Sequence, residues 1–531
     1  MRFLLPLAAG LFLFGCARPE PPADLTIVNN AEPESLDPAV IVAQADMRVV
    51  QGLFEGLTRL EPVHAQAEPG LAQSWEISPD GKIYTFHLRP KLVWSTGEPI
   101  TAEDVRYSWI RALDPKTACR YAGQLYYLKN AEEFNTGVIT NADLVGVHVL
   151  DPLTVQVELK SPTAFFLDLC AFPTLYVVPR QTIEKYGDRW LMARPLPSCG
   201  AFELADWRLN DKIRLKKNPR YWDAANTRSD IIDLLPVSSA NTALNLYESG
   251  QADLVWDKEL IPAELLDVLL QRPDFHPFTY LGTYFLRFNV TRKPFDDVRV
   301  RQALALAIDK DRIVKKITRA GELTTSHLVP PGTRNYHPPE GLGYDPARAR
   351  ELLAAAGYPG GRGFPRFEYL FNAGSAGGAN VHQSIGVELQ EMWRAELGIQ
   401  MDLRQAETKV FWGLQSRLDY QVCRSSWIGD YDDPNTFLGM FISGDGNNET
   451  GWKNPAYDRL VAAANQEVDP ARREADFQAA ETLLVHDEVP IIPLYIYVGM
   501  NYFHTNRVAG LWQNLLDDHP LRCLQKLNAS P

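Results

Sequence analysis

Arg424-Ser-Ser-Trp-Ile-Gly-Asp-Tyr-Asp-Asp-Pro-Asn-Thr-Phe-Leu438 places a lone guanidinium and a carboxylate around an extended, aromatic-bearing segment. That arrangement suits a zwitterionic ligand such as a short peptide, with opposite charges waiting at its two ends. The plain alternative for the carboxylate, Asp430, is that it caps the turn before Asp432-Asp433-Pro434.

Outward from this segment, strands and helices alternate through most of the chain. Leu25 to Asn29, Lys82 to Leu88, Thr154 to Leu159, Ala252 to Trp256, Ile399 to Leu403 and Ile491 to Val498 read as strands. Helices are expected from Thr101 to Leu113, Asn241 to Ser249, Asp297 to Ile308, Pro346 to Ala356, Asn380 to Leu397 and Pro470 to His486. Thr101, Asp297 and Asp469 stand where a side chain can cap orphan amides, and Pro470 takes the first helical position, where its missing N–H costs nothing. The pattern is α/β with mixed sheets. No repeat or long linker divides it, as expected if the domains are built from discontinuous segments.

Arg2 precedes an apolar run from Phe3 to Phe14, too short to span a bilayer, that ends in Leu13-Phe14-Gly15-Cys16. Residues 1–15 therefore read as a lipoprotein signal peptide, Cys16 as the lipidated mature N-terminus, and 16–23 as a Pro-rich tether. The alternative is an ordinary signal peptide with an incidental cysteine. The expected location is extracytoplasmic, with a lipid anchor in a bacterial membrane. No other window approaches the ~18 apolar residues of a membrane helix.

The length of 531 residues, with 45% hydrophobic content, allows several cores, and the net charge of −13 argues against nucleic acid. Cys119, Cys170, Cys199, Cys423 and Cys523 form no C-x-x-C pair; Cys170 with Cys199 is the disulfide to examine first. Catalytic signatures are missing: there is no phosphate loop, H-E-x-x-H or G-x-S-x-G. Ala373-Gly-Ser-Ala-Gly-Gly-Ala379 reads as a loop, and the ten histidines show no ligand spacing, so neither a metal nor another cofactor is expected. Asp432/Asp433 and Asp517/Asp518 read more simply as turn capping than as acid–base pairs.

From Leu25 onward the motifs Glu34-Ser-Leu-Asp-Pro38, Leu53-Phe-Glu-Gly-Leu57, Leu71-Ala-Gln-Ser-Trp75, Trp94-Ser-Thr-Gly-Glu-Pro99, Asn218-Pro-Arg-Tyr-Trp222 and Pro294-Phe-Asp-Asp-Val-Arg-Val-Arg-Gln-Ala303 occur in order. In number and spacing they resemble the periplasmic oligopeptide-binding proteins of peptide ABC importers, a family of extracellular solute-binding proteins. The resemblance implies no enzyme. It implies a two-lobed periplasmic-binding-protein fold with mixed sheets and an extra domain, closing about a hinge, monomeric, and delivering short peptides to the transmembrane subunits of an ABC permease. The implied division is 24–55 with 181–281 and 501–531 as domain I, 56–180 as domain II and 282–500 as domain III.

By the same resemblance Asp430 takes the peptide ammonium, Ser426 to Ile428 and Val42 to Gln44 pair with its backbone, and Trp427 and Tyr121 wall pockets. Arg424 and His382 take the carboxylate of peptides of different length, the histidine as an imidazolium or through water. The sequence also departs from the family. A lysine is replaced by Thr318, with Arg319 adjacent as a substitute; a tryptophan by Thr408, an acid by Arg287 and an arginine by Gln415; the hinge disulfide would join Gly282 and Ile428, neither a cysteine. Two other classes stay open: a receptor of this fold for a nickel chelate, oligosaccharide or signal, and an exported hydrolase.

Overall fold

The computed structural model describes residues 20–372 and 381–527. The leader with Cys16 and the glycine-rich stretch 373–379 lie outside the described residues.

Two long strands organise the molecule. Phe275–Phe288 and Ile491–Phe503 are rich in aromatic and β-branched residues and almost wholly buried, as strands covered on both faces must be. They pair antiparallel at the centre of an eleven-stranded mixed sheet. On one side lie Leu254–Val255, Leu25–Val28, Ile231–Leu235, Lys212–Lys217 and Phe202–Arg208; on the other, Val422–Ile428, Phe367–Asn372 and Met401–Ala406. Each long strand therefore begins in one lobe and ends in the other. Their register slips between Thr279 and Thr283 and again between Tyr284 and Phe285. Gly282 stands at the slip, where an added Cβ would meet the Tyr497 ring at 3.0 Å and Ile428 at 3.2 Å.

The first lobe carries a second, four-stranded antiparallel sheet in the order Ala72–Ile77, Ile83–Leu88, Thr154–Glu158, Val147–Asp151. Helix Ala102–Leu113 packs on it, with Trp109 fully buried and its indole N–H donating to the Leu175 carbonyl at 2.9 Å. One apolar core joins this layer to the first half of the large sheet, while separate cores around Trp393 and Phe437 fill the second lobe.

Local chemistry explains most boundaries. Asp297 accepts from the Arg299 N–H at 2.9 Å and Asp469 from the Arg472 N–H at 3.0 Å, so both caps form at the expected starts. The strand read as Ile491 to Val498 continues to Phe503, because its last residues gain partners in Phe275–Thr279 and Leu254–Val255. The cysteine expectation is corrected: Cys170 and Cys199 are separate buried thiols, the Cys199 sulfur donating to the Val177 carbonyl at 3.5 Å, and burial pushes both thiol pKa values up. Cys119, Cys423 and Cys523 are also unbridged. Among the described residues no helix is long and apolar enough to cross a membrane.

Candidate functional site

Strand Val422–Ile428 lies against Phe275–Phe288, with Ile428 opposite Gly282 and Arg424 opposite Leu286. Past its end the chain turns sharply. The Gly429 N–H donates to the Leu281 carbonyl at 2.8 Å, and any Cβ at position 429 would sit 2.6 Å from the Leu281 side chain. This close approach aims the next residue, Asp430, across the interface between the lobes.

Asp430 is half-buried, and its Oδ2 accepts from Gln124 Nε2 of the first lobe at 3.1 Å. The turn-capping alternative does not hold: Asp433 accepts from the Asn435 N–H at 2.9 Å, and Asp432 accepts from the Arg334 N–H at 3.0 Å. Burial pushes Asp430 up to about 6, the Gln124 hydrogen bond opposing the shift. No cation among the described residues pairs with it. A cavity of about 330 Å³ surrounds this carboxylate, and Val42, Gln44, Tyr121 and Ile428 line it as well. Five of the expected residues thus converge from segments hundreds of positions apart.

At the other end of the strand, Arg424 donates through Nε to Asn372 Oδ1 at 2.7 Å and through Nη1 to Ser426 Oγ at 3.2 Å, and lies over the Phe411 ring. No carboxylate among the described residues pairs with it. His382 sits beside it, its Nδ1 3.2 Å from the Tyr284 hydroxyl. Burial, reinforced by the Arg424 charge, lowers His382 to about 3. That direction favours the neutral imidazole, and so the second of the two expected roles, contact with a carboxylate through water.

Trp427 points to the opposite face from Ser426 and Ile428. It packs against the apolar cluster holding Leu281 and Phe437 and donates to Thr436 Oγ1 at 3.4 Å; it does not line the cavity. Arg319 does not replace the missing lysine at Thr318, because it is ion-paired with Asp267 in the other lobe. Thr408 opens a helix, Arg287 is buried against Glu449, and Gln415 is buried with its amide on the Cys423 sulfur.

A sequence profile for "Bacterial extracellular solute-binding proteins, family 5 Middle" matches residues 66–449. The chain belongs to this family. It is 35% identical over 481 residues to the periplasmic oligopeptide-binding protein OppA of Salmonella typhimurium, covering 89% of this chain and 86% of that protein. The oligopeptide-binding protein OppA of Bacillus subtilis is 34% identical, with 89% and 87% covered. Among solved structures, the periplasmic oligopeptide-binding protein OppAIV of Borrelia burgdorferi aligns with a TM-score of 0.79 at 31% identity, over 95% of this chain and all of that one. The two-lobed solute-binding fold and a binding rather than catalytic role follow.

Several residues that build the site in this family-5 protein carry no signal in its sequence. Tyr431 stacks on Phe165 of the first lobe with centroids 4.0 Å apart and planes 6° from parallel, and its hydroxyl lies 3.1 Å from that of Tyr127. Arg334 of the second lobe reaches Asp168 of the first at 2.8 Å. Only the aromatic richness of the chain hinted at such contacts.

Proposed function

We propose that this protein captures short peptides between its lobes and delivers them to an ABC permease. The observation that carries the reading is a pair of charges with no ionic partner among the described residues, the Arg424 guanidinium on strand Val422–Ile428 and the Asp430 carboxylate just past its end. From Arg424 to the strand's end at Ile428, four steps of extended chain cover roughly 13 Å, the scale of a short peptide with both side chains reaching toward its ends. A free peptide always carries an ammonium, a carboxylate and unpaired backbone groups, whereas its side chains vary. Ser426 to Ile428 and Val42 to Gln44 take the backbone; Tyr121, half-buried against Phe172 at 5.4 Å, walls the space beside the ammonium. The names of the Salmonella and Bacillus relatives support the peptide class.

The further parts of the reading rest on sequence. Leu13 to Cys16 supports a lipid-anchored, extracytoplasmic protein. The shared core of the first lobe and the second small sheet are compatible with the three-domain division at 24–55, 181–281 and 501–531, 56–180, and 282–500. Closure by a ligand that bridges both lobes is the working mechanism, since only contacts made to both lobes favour the closed arrangement. Calorimetric titration with tri- to pentapeptides and their N-acetylated forms tests the reading; equal affinity for the two forms would sink it.

A further inference from the structure

Between the two ends of the site lies a third charge. Lys258 opens the short turn Lys258–Leu260, which Asp257 caps by accepting the Glu259 N–H at 2.9 Å. Its ammonium lies 4.4 Å from the centroid of the Tyr497 ring and 5.1 Å from that of Tyr280. Tyr280 lines the cavity around Asp430, and Tyr497 lies beside Ser426 and packs at Gly282. The ammonium is therefore held part-way along the strand that separates Asp430 from Arg424.

Among the described residues nothing accepts a hydrogen bond from it, and the neighbouring carboxylates are engaged elsewhere. Asp257 pairs with Arg48 at 3.1 Å; Asp517 accepts from His519 at 2.8 Å and lies 3.6 Å from Arg48; Glu259 accepts from Asn30 at 3.3 Å. Two aromatic faces stabilise a cation but leave its N–H donors unmet. Burial lowers the Lys258 pKa, with Asp257, Glu259 and Asp517 opposing. A half-buried cation, held by rings and without an acceptor, gains from an incoming anion.

We propose that Lys258 is a second anion anchor inside the site, taking a ligand carboxylate that falls between Asp430 and Arg424. With the ammonium at Asp430, two extended residues reach roughly 7 Å. The carboxylate is then either the C-terminus of a dipeptide or an acidic side chain near the start of a longer peptide. This inference rests on the peptide reading above and adds a preference to it.

The test is calorimetry on the full chain, freed of co-purified ligand, in wild type and in the Lys258→Met and Lys258→Arg variants. Methionine keeps the stem over the tyrosines without the charge. Two ratios are read within each protein, so a general loss of binding does not disturb them: Ala-Glu-Ala against Ala-Gln-Ala, and Ala-Ala against Ala-Ala amide. In wild type we expect the acid to win by about tenfold in at least one ratio, the order of one charge-assisted hydrogen bond. A gain in the first ratio identifies the side-chain source, and a gain in the second the dipeptide terminus. The preference disappears in Lys258→Met and returns in Lys258→Arg. Peptides that bind with no acid preference, or with one that survives Lys258→Met, overturn the proposal and leave the peptide reading intact. If none of these peptides, nor Ala-Ala-Ala, binds wild type, both fall.

Discussion

Replacing Asp430 by asparagine keeps the size of the side chain and an acceptor for Gln124 while removing the charge. The site lifts this carboxyl from its ordinary 3.8 to about 6, a difference of about 3 kcal/mol against the ionised form, taken as an upper figure because the half-buried side chain retains some water. A bound ammonium offsets that penalty, and without the carboxylate the ammonium is itself left unpaired, at a cost of about 3 kcal/mol. At 1.4 kcal/mol per factor of ten the substitution lowers affinity for Ala-Ala-Ala by about 100-fold. Calorimetry at pH 8 measures it, with N-acetyl-Ala-Ala-Ala as the reference ligand, whose affinity moves little because it carries no ammonium. Stability supplies the control. The folded pKa lies above the unfolded one, so the folded state loses stability as pH rises from about 4 to about 6 and carries the full penalty above that, and Asp430→Asn leaves the unliganded melting temperature at pH 8 unchanged or higher. A loss below threefold for Ala-Ala-Ala, or equal losses for free and acetylated peptide, would refute the reasoning.

Affinity for free tripeptide drops about tenfold between pH 7 and pH 5, because binding then requires a proton to leave Asp430; calorimetry across that range shows the drop in wild type and none in Asp430→Asn. His382→Asn leaves the shape of the same pH profile unchanged, since the imidazole is already neutral throughout. Arg424→Met removes the preference for a tripeptide over its C-terminal amide, a loss of roughly tenfold or more read by competition binding. Gly282→Cys with Ile428→Cys forms a disulfide under air oxidation, since the two residues are directly opposed and a Cβ at position 282 would lie 3.2 Å from the Ile428 side chain; the oxidised protein melts higher by several degrees, as about 2–4 kcal/mol of stabilisation implies.

What the sequence makes legible is local or sequential. Asp297 and Asp469 announce helices because a cap, a proline and a first turn are neighbours along the chain, and the motifs of the resemblance are contiguous. Within the contiguous stretch from Arg424 to Asp430, Ile428 and Asp430 do line the cavity, whereas Trp427 packs into the apolar cluster on the other face. What escapes is what depends on register and long-range pairing. Strand Phe275–Phe288 does not declare itself, and its partner reads as shorter than it is, because nothing in Met500 to Phe503 reveals that Phe275 and Leu254 wait on either side. The choice between the two expected forms of His382 escapes for a related reason: the charge state of a histidine depends on burial and here on Arg424, forty-two positions away along the chain and adjacent in space. Tyr431 on Phe165 and Lys258 between two tyrosines belong to the same class.

The central place of Ile491–Phe503 in the large sheet also dictates an order of events at birth. Leu254–Val255 and the Phe275–Thr279 half of its partner are made roughly two hundred residues before the strand that separates and joins them. Until then the first lobe holds an open slot flanked by two unpaired strand edges, while the whole second lobe is assembled between them. Completion must therefore wait until residue 503 has been made. A nascent chain of this protein stays unfinished at its middle, with edges that any other extended segment could join, and truncation shortly before residue 491 should yield aggregates rather than a smaller folded protein.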